Sequence, residues 1–322
     1  MTSMNAAVVT SFGEPPRYQQ FEVPRPVSPL EIVVDVLAVG LHPRVRTGAA
    51  GAHYTSSGTL PMIPGIDGVG RRPDGRRIYF AAADDVIGTM ADKAVVDQRR
   101  AVELPDHVDV AKVAAAMNPA MSSWVALRRR VPIEPGQTVL VLGATGNAGA
   151  MAVQIAKLLG AGRVIGAGRD PGQLAALTAL GADEVVPLTS DRDATDRALG
   201  AAAGEADIVI DYLWGKPAQQ AMMALLTARS DRSRALDWIQ IGAMAGPTIE
   251  LASVALRSAN LRLQGNGQGA VSTAAYLAEL PALVDEIDAG AIAVKANAVS
   301  LSDVAAIWNL PDAPGERTVL VP

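Results

Sequence analysis

Apolar positions along the chain follow two different rhythms, and the change falls near residue 109. Before it, short β-branched runs are broken repeatedly by glycine and proline. Ala6-Ala7-Val8-Val9-Thr10 reads as a strand followed by the turn Gly13-Glu14-Pro15-Pro16. Glu31 to Val39 reads as a long buried strand. Gly65 to Gly70 and Arg77 to Phe80 flank the turn Pro73-Asp74-Gly75, and Ala91 to Val96 adds another strand. Short strands at this spacing predict a β-barrel-like domain. From Asp109 the pattern turns helical, with a short helix from Asp109 to Ala116 and a longer one from Pro119 to Arg130. Strands and helices then alternate. The strands are Val139–Leu142, Arg163–Ala167, Glu184–Pro187, Asp207–Asp211, Asp237–Gly242 and Leu261–Gly265. The helices among them include Ala150–Leu159, Gln173–Leu180 and Pro217–Leu226. Such alternation predicts a parallel, doubly wound sheet. Ala275 to Ala289 reads as one amphipathic helix and Ser302 to Trp308 as another. The last apolar run, Arg317 to Val321, reads as a strand that returns to the first domain.

The expectation is therefore an α/β chain of two domains: a β-rich domain of residues 1–118 and 297–322, and a Rossmann domain of residues 119–296. A length of 322 residues is enough for two separate cores. A hydrophobic fraction of 49% with 19% charge fits an ordinary soluble globule. The net charge of −5 and the absence of a basic run beside stacking aromatics argue against a nucleic-acid partner. Arg128-Arg129-Arg130 is the one basic cluster and reads as a solvated helix end that favours the helix dipole. With no cysteine, disulfides, thiolate metal sites and thiol catalysis are excluded. No apolar run reaches membrane-spanning length, and Met1 to Val9 lacks the pattern of a signal peptide, so a cytoplasmic protein is expected.

The stretch from Thr138 to Pro187 carries the chemistry. An apolar strand runs into Gly143-Ala144-Thr145-Gly146-Asn147-Ala148-Gly149 and then into a helix. This is a βαβ unit with a phosphate-binding turn, where backbone N–H groups and a helix N-terminus converge on a pyrophosphate. Gly146 lets the backbone approach the phosphates, and Gly149 lets the helix pack close to the strand. Ala144 stands where the usual G-x-G-x-x-G has its first glycine. Ala144, Thr145, Gly146, Asn147, Ala148 and Gly149 are the candidate phosphate contacts. NAD-binding units end the second strand on an acid that bonds the ribose 2′-hydroxyl. Here Gly168 and Arg169 stand there. A missing carboxylate removes repulsion, and a guanidinium fork grips a 2′-phosphate, so the expected cofactor is NADP(H). Asp170-Pro171-Gly172 reads as a turn and helix cap rather than a ribose acid. Open α/β sheets bind ligands at their strand ends. That adds Leu213 and the run Gly242-Ala243-Met244, expected beside the nicotinamide, with Gln264 to Gly267 bordering the substrate. Trp214 reads either as packing or as an adenine contact.

The order of these parts, together with local signatures, resembles the medium-chain dehydrogenase/reductase superfamily and, within it, the zinc-free quinone oxidoreductases. The resemblance spans essentially the whole chain. It rests on Leu60-Pro61-Met62-Ile63-Pro64-Gly65-Ile66-Asp67-Gly68-Val69-Gly70, on the cofactor turn from Val141 to Gly146, and on Leu301-Ser302-Asp303-Val304-Ala305 with Arg317-Thr318-Val319-Leu320. It implies that the β-rich domain is GroES-like. It also implies a homodimer joined through the edge strand around Leu261-Arg262-Leu263. Zinc-dependent relatives place a Cys and a Gly-His-Glu around the metal. Here His42 stands at the Cys position and Ile66-Asp67 replaces His-Glu, so no metal site is expected. His42-Pro43-Arg44-Val45 also departs from the branch's Asn-Pro-x-Asp.

Without a Lewis acid, hydride transfer suits an acceptor that carries its own electron sink, such as a quinone, enone or enal. The expected function is an NADPH-dependent, zinc-free oxidoreductase acting on a small molecule. The alternatives are an enoyl-thioester reductase and a non-catalytic NADPH-binding sensor or structural protein. Tyr54 is the first candidate for the proton donor, or else packs on the cleft rim. His42 either orients substrate or is a structural loop residue. Ser122 matches a family Thr that lies by the nicotinamide, or else packs in its helix. Asp67 is expected to tie loops together beneath the site.

Overall fold

The computed structural model describes residues 2–53, 55–267 and 269–322. It comprises two compact units, one of residues 1–119, 273–290 and 294–322, the other of residues 120–272 and 291–293.

In the first unit the expected short strands appear as β1 (Ser3–Val8), β3 (Glu31–Gly40), β4 (Asp67–Arg71), β5 (Arg77–Ala81) and β6 (Lys93–Asp97), and the structure adds β2 (Arg17–Glu22) and β7 (Ala101–Leu104). β1 and β2 form an antiparallel pair. The long strand β3 is the spine of a mixed sheet and pairs antiparallel with both β4 and β6. β4 continues to β5, and β5 to β7. The β3–β4 register shifts between Val36 and Ala38, a bulge that bends β3 where it serves two partners. Val34, Val36, Val39, Ile63, Ile78, Phe80, Met90 and Val96 fill the core beneath.

In the second unit β8 (Thr138–Leu142), β9 (Arg163–Gly168), β10 (Glu184–Pro187), β11 (Ile208–Asp211), β12 (Leu236–Gln240) and β13 (Leu261–Gly265) form one sheet in the order β10-β9-β8-β11-β12-β13. Every neighbouring pair is parallel. The strands read as continuous apolar runs because their central members are buried on both faces. The strand order reverses between β8 and β11, and this is the doubly wound sheet with its switch point. β14 (Lys295–Ser300) and β15 (Glu316–Val321) then return to the first unit. There β15 lies parallel to β14 and antiparallel to β3, as the apolar tail predicts.

The helices that matter for the site are α1 (Pro43–Ala49), α2 (Val110–Val125), α3 (Asn147–Leu158), α4 (Pro171–Ala179), α5 (Arg192–Ala203) and α6 (Gly215–Ala228). Three expectations are corrected. The two helices separated at Pro119 are a single helix, α2, with Pro119 inside it. A proline there forfeits one intrahelical bond and costs about 3 kcal/mol, but Val113 to Met117 and Trp124 to Leu127 are almost completely buried on either side. Burial overrides propensity. The single helix from 275 to 289 is two, Thr273–Leu277 and Leu280–Asp288, because Pro281 belongs in a first turn and cannot continue a preceding one. The basic cluster is not simply a solvated end. Arg128 stacks over Trp124 with 4.9 Å to the ring centre, and Arg130 donates to the carbonyls of Gly265 and Ala270 at 3.1 and 3.3 Å.

Candidate active site

The glycine turn at the carboxyl end of β8 is built from three glycines with three different reasons. Gly143 has φ +83°, a left-handed conformation that turns the chain off the strand. The N–H groups of Gly143 and Ala144 both bond Ala167 O at 2.9 Å, so the turn is stitched to β9. A Cβ built on Gly149 would strike Gly143 O and come within 2.7 Å of Ala144 Cα, so only glycine lets α3 pack this close. Gly146 is different. Its φ of −83° is ordinary, and a Cβ there meets nothing nearer than Gly143 O at 3.6 Å. Nothing in the protein itself requires glycine at 146. Gly146 is also the N-cap of α3 and offers no side-chain cap, whereas α4 and α5 are capped by Asp170 and Asp191. An open, uncapped helix start with room in front of it and no carboxylate is the arrangement a pyrophosphate needs. The residues fit that group.

Gly168 lies buried at the end of β9, and a Cβ there would come within 2.8 Å of Thr145 Oγ1. A side chain at 168 would therefore require Thr145 to move, a constraint not visible in the local sequence. Arg169 beside it is exposed and makes no ion pair among the described residues. Asp170 Oδ1 accepts from Gln173 N at 2.9 Å and so acts as the helix cap.

Across the switch point, the end of β11 is organised by Asp211. Its carboxylate is fully buried and accepts from Leu213 N (2.8 Å), Trp214 N (2.9 Å) and Trp238 Nε1 (3.0 Å). Burial pushes this carboxyl above the usual range, against the pull of the three N–H donors. The same bonds hold Trp214 at φ +51°, ψ −162°, a backbone state that costs on the order of 1–3 kcal/mol for a residue other than glycine. Gly242, at the end of β12, packs so close that a Cβ would lie 2.6 Å from Tyr212 O. Leu213 lies against Gly143, within 3.0 Å of where a Cβ would be. The structure therefore brings the cofactor candidates 144–149, 168–169, 213 and 242–244 to the carboxyl ends of β8, β9, β11 and β12, with Met244 75% exposed. Ser122 joins them from α2, with its hydroxyl 2.9 Å from the Tyr212 phenol. The sequence places Tyr212 in the run Tyr212-Leu213-Trp214-Gly215 at this strand end, but the organising role of Asp211 was missed. The available signal was a carboxylate closing an otherwise apolar strand.

In the first unit His42, Asp67 and Tyr79 form a buried cluster. His42 is 2% and Asp67 3% exposed. Asp67 Oδ2 accepts from the Tyr79 hydroxyl at 2.6 Å, and Asp67 Oδ1 lies 3.6 Å from His42 Nε2 without a hydrogen bond. Burial pushes the Asp67 carboxyl up to about 7, although the Tyr79 bond and Arg44 pull it down. Burial, with the nearby charges of Arg317, Arg44 and Arg46, holds the His42 imidazole well below its usual value. Burial also raises the Tyr79 phenol well above 10. The 3.6 Å contact is therefore not an ion pair, because His42 is neutral. Asp67 links β4 to Tyr79 on β5, and Tyr79 had no sequence signal. His42 and Asp67 supply two of the donors a tetrahedral zinc needs, and Ile66 replaces the third. No cluster of three His, Cys, Asp or Glu occurs among the described residues. The donor set does not fit catalytic zinc. Tyr54 lies outside the described residues. Its neighbours His53 and Thr55 are joined by a 2.8 Å side-chain bond, and Arg44 reaches Thr55 at 3.4 Å. Among the described residues no helix is long and apolar enough to cross a membrane.

The sequence model of a zinc-binding dehydrogenase family matches residues 148–265. The chain is 30% identical to a probable NADPH-dependent quinone reductase, tdiC, of Emericella nidulans, over 99% of this chain and 100% of that protein. A quinone oxidoreductase of Pseudomonas syringae pv. tomato superposes with a TM-score of 0.82 at 22% identity, over 99% of this chain and 100% of the other. A mycobacterial protein solved in complex with NADPH superposes with a TM-score of 0.79, also at 22% identity, over 99% and 100% of the two chains.

Proposed function

The chain belongs to the medium-chain dehydrogenase/reductase superfamily, in its quinone oxidoreductase-like branch, and from that premise we propose that it is an NADPH-dependent, zinc-free reductase of quinones or activated alkenes. The observation that carries the reading is the pairing of an open, uncapped α3 start at Gly146 with the unpaired Arg169 at the end of β9. The first suits a pyrophosphate. The second suits a 2′-phosphate, with no acid present to prefer the free ribose hydroxyl. The NADPH named for the tdiC relative, and held by the mycobacterial neighbour, supports the same cofactor.

Bound NADPH supplies the hydride; the protein binds, orients and protonates. The carboxyl ends of β11 and β12 would carry the nicotinamide half, and Ser122 would lie beside it. Because His42 and Asp67 make an incomplete metal site, the acceptor must delocalise its own negative charge, as a quinone, enone or enal does. Tyr54 is the proposed proton donor to such an acceptor. We also propose a cytoplasmic homodimer. β13 pairs only with β12 among the described residues and leaves its other edge to a second copy.

The test is a consumption assay followed by the nicotinamide absorbance, run with NADPH and NADH over quinones, enones and enoyl thioesters, alongside metal analysis of the protein. Turnover of quinones or enones with NADPH in metal-free protein is expected. Tight NADPH binding without turnover of any acceptor would instead make this a sensor. A stoichiometric zinc whose removal abolishes turnover would overturn the metal-free reading.

A further inference from the structure

Among the described residues Met244 is the one methionine that the fold leaves mostly in water. It is 75% exposed, Met223 is 37% exposed, and seven others stand at 7% or less. The chain has no cysteine. A reactive thiolate, where a protein has one, takes the first oxidising equivalents. Here the softest accessible atom is a thioether sulfur. The backbone that carries it is not loose. Gly242 N bonds Asp211 O at 3.1 Å, Met244 N bonds Tyr212 O at 3.3 Å, and Ala245 N bonds Leu213 O at 2.8 Å. The segment after β12 is therefore laced to the end of β11. Residue 244 is held at the carboxyl edge of the sheet, where open α/β sheets receive their ligands.

The chemistry open to an exposed thioether is oxygen transfer from a hydroperoxide. The sulfur lone pair attacks one peroxide oxygen, the O–O bond breaks, and that oxygen stays on sulfur. From hydrogen peroxide the other oxygen leaves as water. The thioether loses two electrons and the peroxide gains two. An apolar side chain becomes a polar, chiral sulfoxide. Hydroquinones, one product class of the proposed reaction, react with dioxygen to give quinone and hydrogen peroxide, so turnover itself generates this oxidant.

We propose that Met244 is a reversible oxidation site, at which hydrogen peroxide makes a sulfoxide and so weakens the hold on the dinucleotide. The change in affinity rests on the dinucleotide reading above; the site itself rests on exposure and on the missing thiols. A thioether gives up no strong hydrogen bond to water when a ligand covers it, whereas a sulfoxide oxygen does. Bound dinucleotide covers the sulfur in turn and slows its oxidation. A methionine sulfoxide reductase returns the thioether.

The test treats the full-length protein with graded hydrogen peroxide, with and without saturating NADP⁺, and reads each methionine by peptide mass spectrometry. Dissociation constants for NADP⁺ are measured by calorimetry before and after treatment, for the wild type and for Met244→Leu. Met244 is expected to oxidise at least about tenfold faster than any buried methionine, and about threefold or more slower under NADP⁺. The oxidised wild type should bind NADP⁺ at least about fivefold more weakly, the low end of the cost of covering an unpaired polar group. Treatment with a sulfoxide reductase should restore the first value. Met244→Leu has no sulfur at 244, so its own constant, whatever its value, should not change with peroxide. Equal oxidation of all methionines, or full oxidation of Met244 with an unchanged constant, would overturn the proposal. So would an equal loss of affinity in treated Met244→Leu, which would place the lesion elsewhere. If Met244→Leu does not fold, reductase rescue of the wild type, followed peptide by peptide, decides. An untreated wild type that does not bind NADP⁺ would refute the dinucleotide reading and the affinity change with it. That outcome is recognisable, because the peptide masses still report whether Met244 oxidises first.

Discussion

Two glycines three residues apart in the cofactor turn should respond to alanine in opposite ways. At Gly149 the new Cβ would strike Gly143 O and lie 2.7 Å from Ala144 Cα, both backbone atoms that no rotamer change can move. Overpacking of this kind costs about 1–3 kcal/mol or more, against roughly 1 kcal/mol gained from alanine's helix propensity. Gly149→Ala should therefore lose on the order of 1–2 kcal/mol of stability, with α3 displaced from β8. At Gly146 the nearest atom is 3.6 Å away and the backbone suits any residue. A poorer N-cap and a less flexible unfolded chain offset one another, so stability should stay within about 0.5 kcal/mol. Binding should not be spared. The methyl group occupies the space in front of the α3 N-terminus, and each charge-assisted N–H bond to phosphate is worth about 1.5–3 kcal/mol. Losing even one weakens NADPH by about ten- to hundredfold. Urea unfolding gives the stabilities, and calorimetric titration with NADPH gives the affinities. Wild-type affinity in Gly146→Ala would refute the phosphate cradle. Wild-type stability in Gly149→Ala would refute the packing argument.

Further outcomes follow from individual side chains. Arg169→Ala should weaken NADPH about ten- to hundredfold and leave NADH nearly unchanged, measured as paired dissociation constants; an equal loss for both cofactors would contradict the 2′-phosphate assignment. The folded Asp67 carboxyl sits at about 7 against an ordinary 3.8, a raised value. Its favourable contribution is therefore complete in acid and is lost as pH rises through that window, so Asp67→Asn should gain on the wild type between pH 5 and 8, by about 1–3 kcal/mol in urea unfolding. The same difference at both pH values would mean that Asp67 does not titrate there. The buried Arg229 guanidinium donates to the carbonyls of Gly204, Ala206, Arg234 and Ala235. Arg229→Met should cost about 3–5 kcal/mol by stranding them yet leave cofactor affinity intact, since these groups lie at the amino ends of β11 and β12; unchanged stability would show that water replaces the side chain.

Some of the molecule is written in local pattern. Alternating apolar strands and helices follow from side-chain periodicity, and the run from Val139 through the glycine turn to Arg169 needs no distant partner to be recognised. The Asp170 cap, the exposed edge at β13 and the returning strand β15 are legible for the same reason. Each depends on residues within a turn or two of one another, or on a hydrophobic face that must be covered.

What remained illegible depends on neighbours far along the chain. Pro119 predicts a helix end, and only burial on both sides of it keeps α2 continuous. Gly168 reads as a cofactor signal, and only the folded turn shows that the Thr145 side chain also crowds that position. Ser122 and Tyr212 are 90 residues apart, and no spacing rule joins them. Their hydroxyls meet because the order of parallel strands carries the end of β11 to α2. The His42–Asp67–Tyr79 cluster is likewise assembled by sheet pairing, and its shifted protonation comes from desolvation, which composition does not encode. The sequence by itself determined the alternation of strands and helices, the glycine turn after β8 and the family, because periodicity and turn chemistry are local. The tertiary structure decided which polar groups face one another and which are shut away from water, because those depend on strand order and packing across the whole chain.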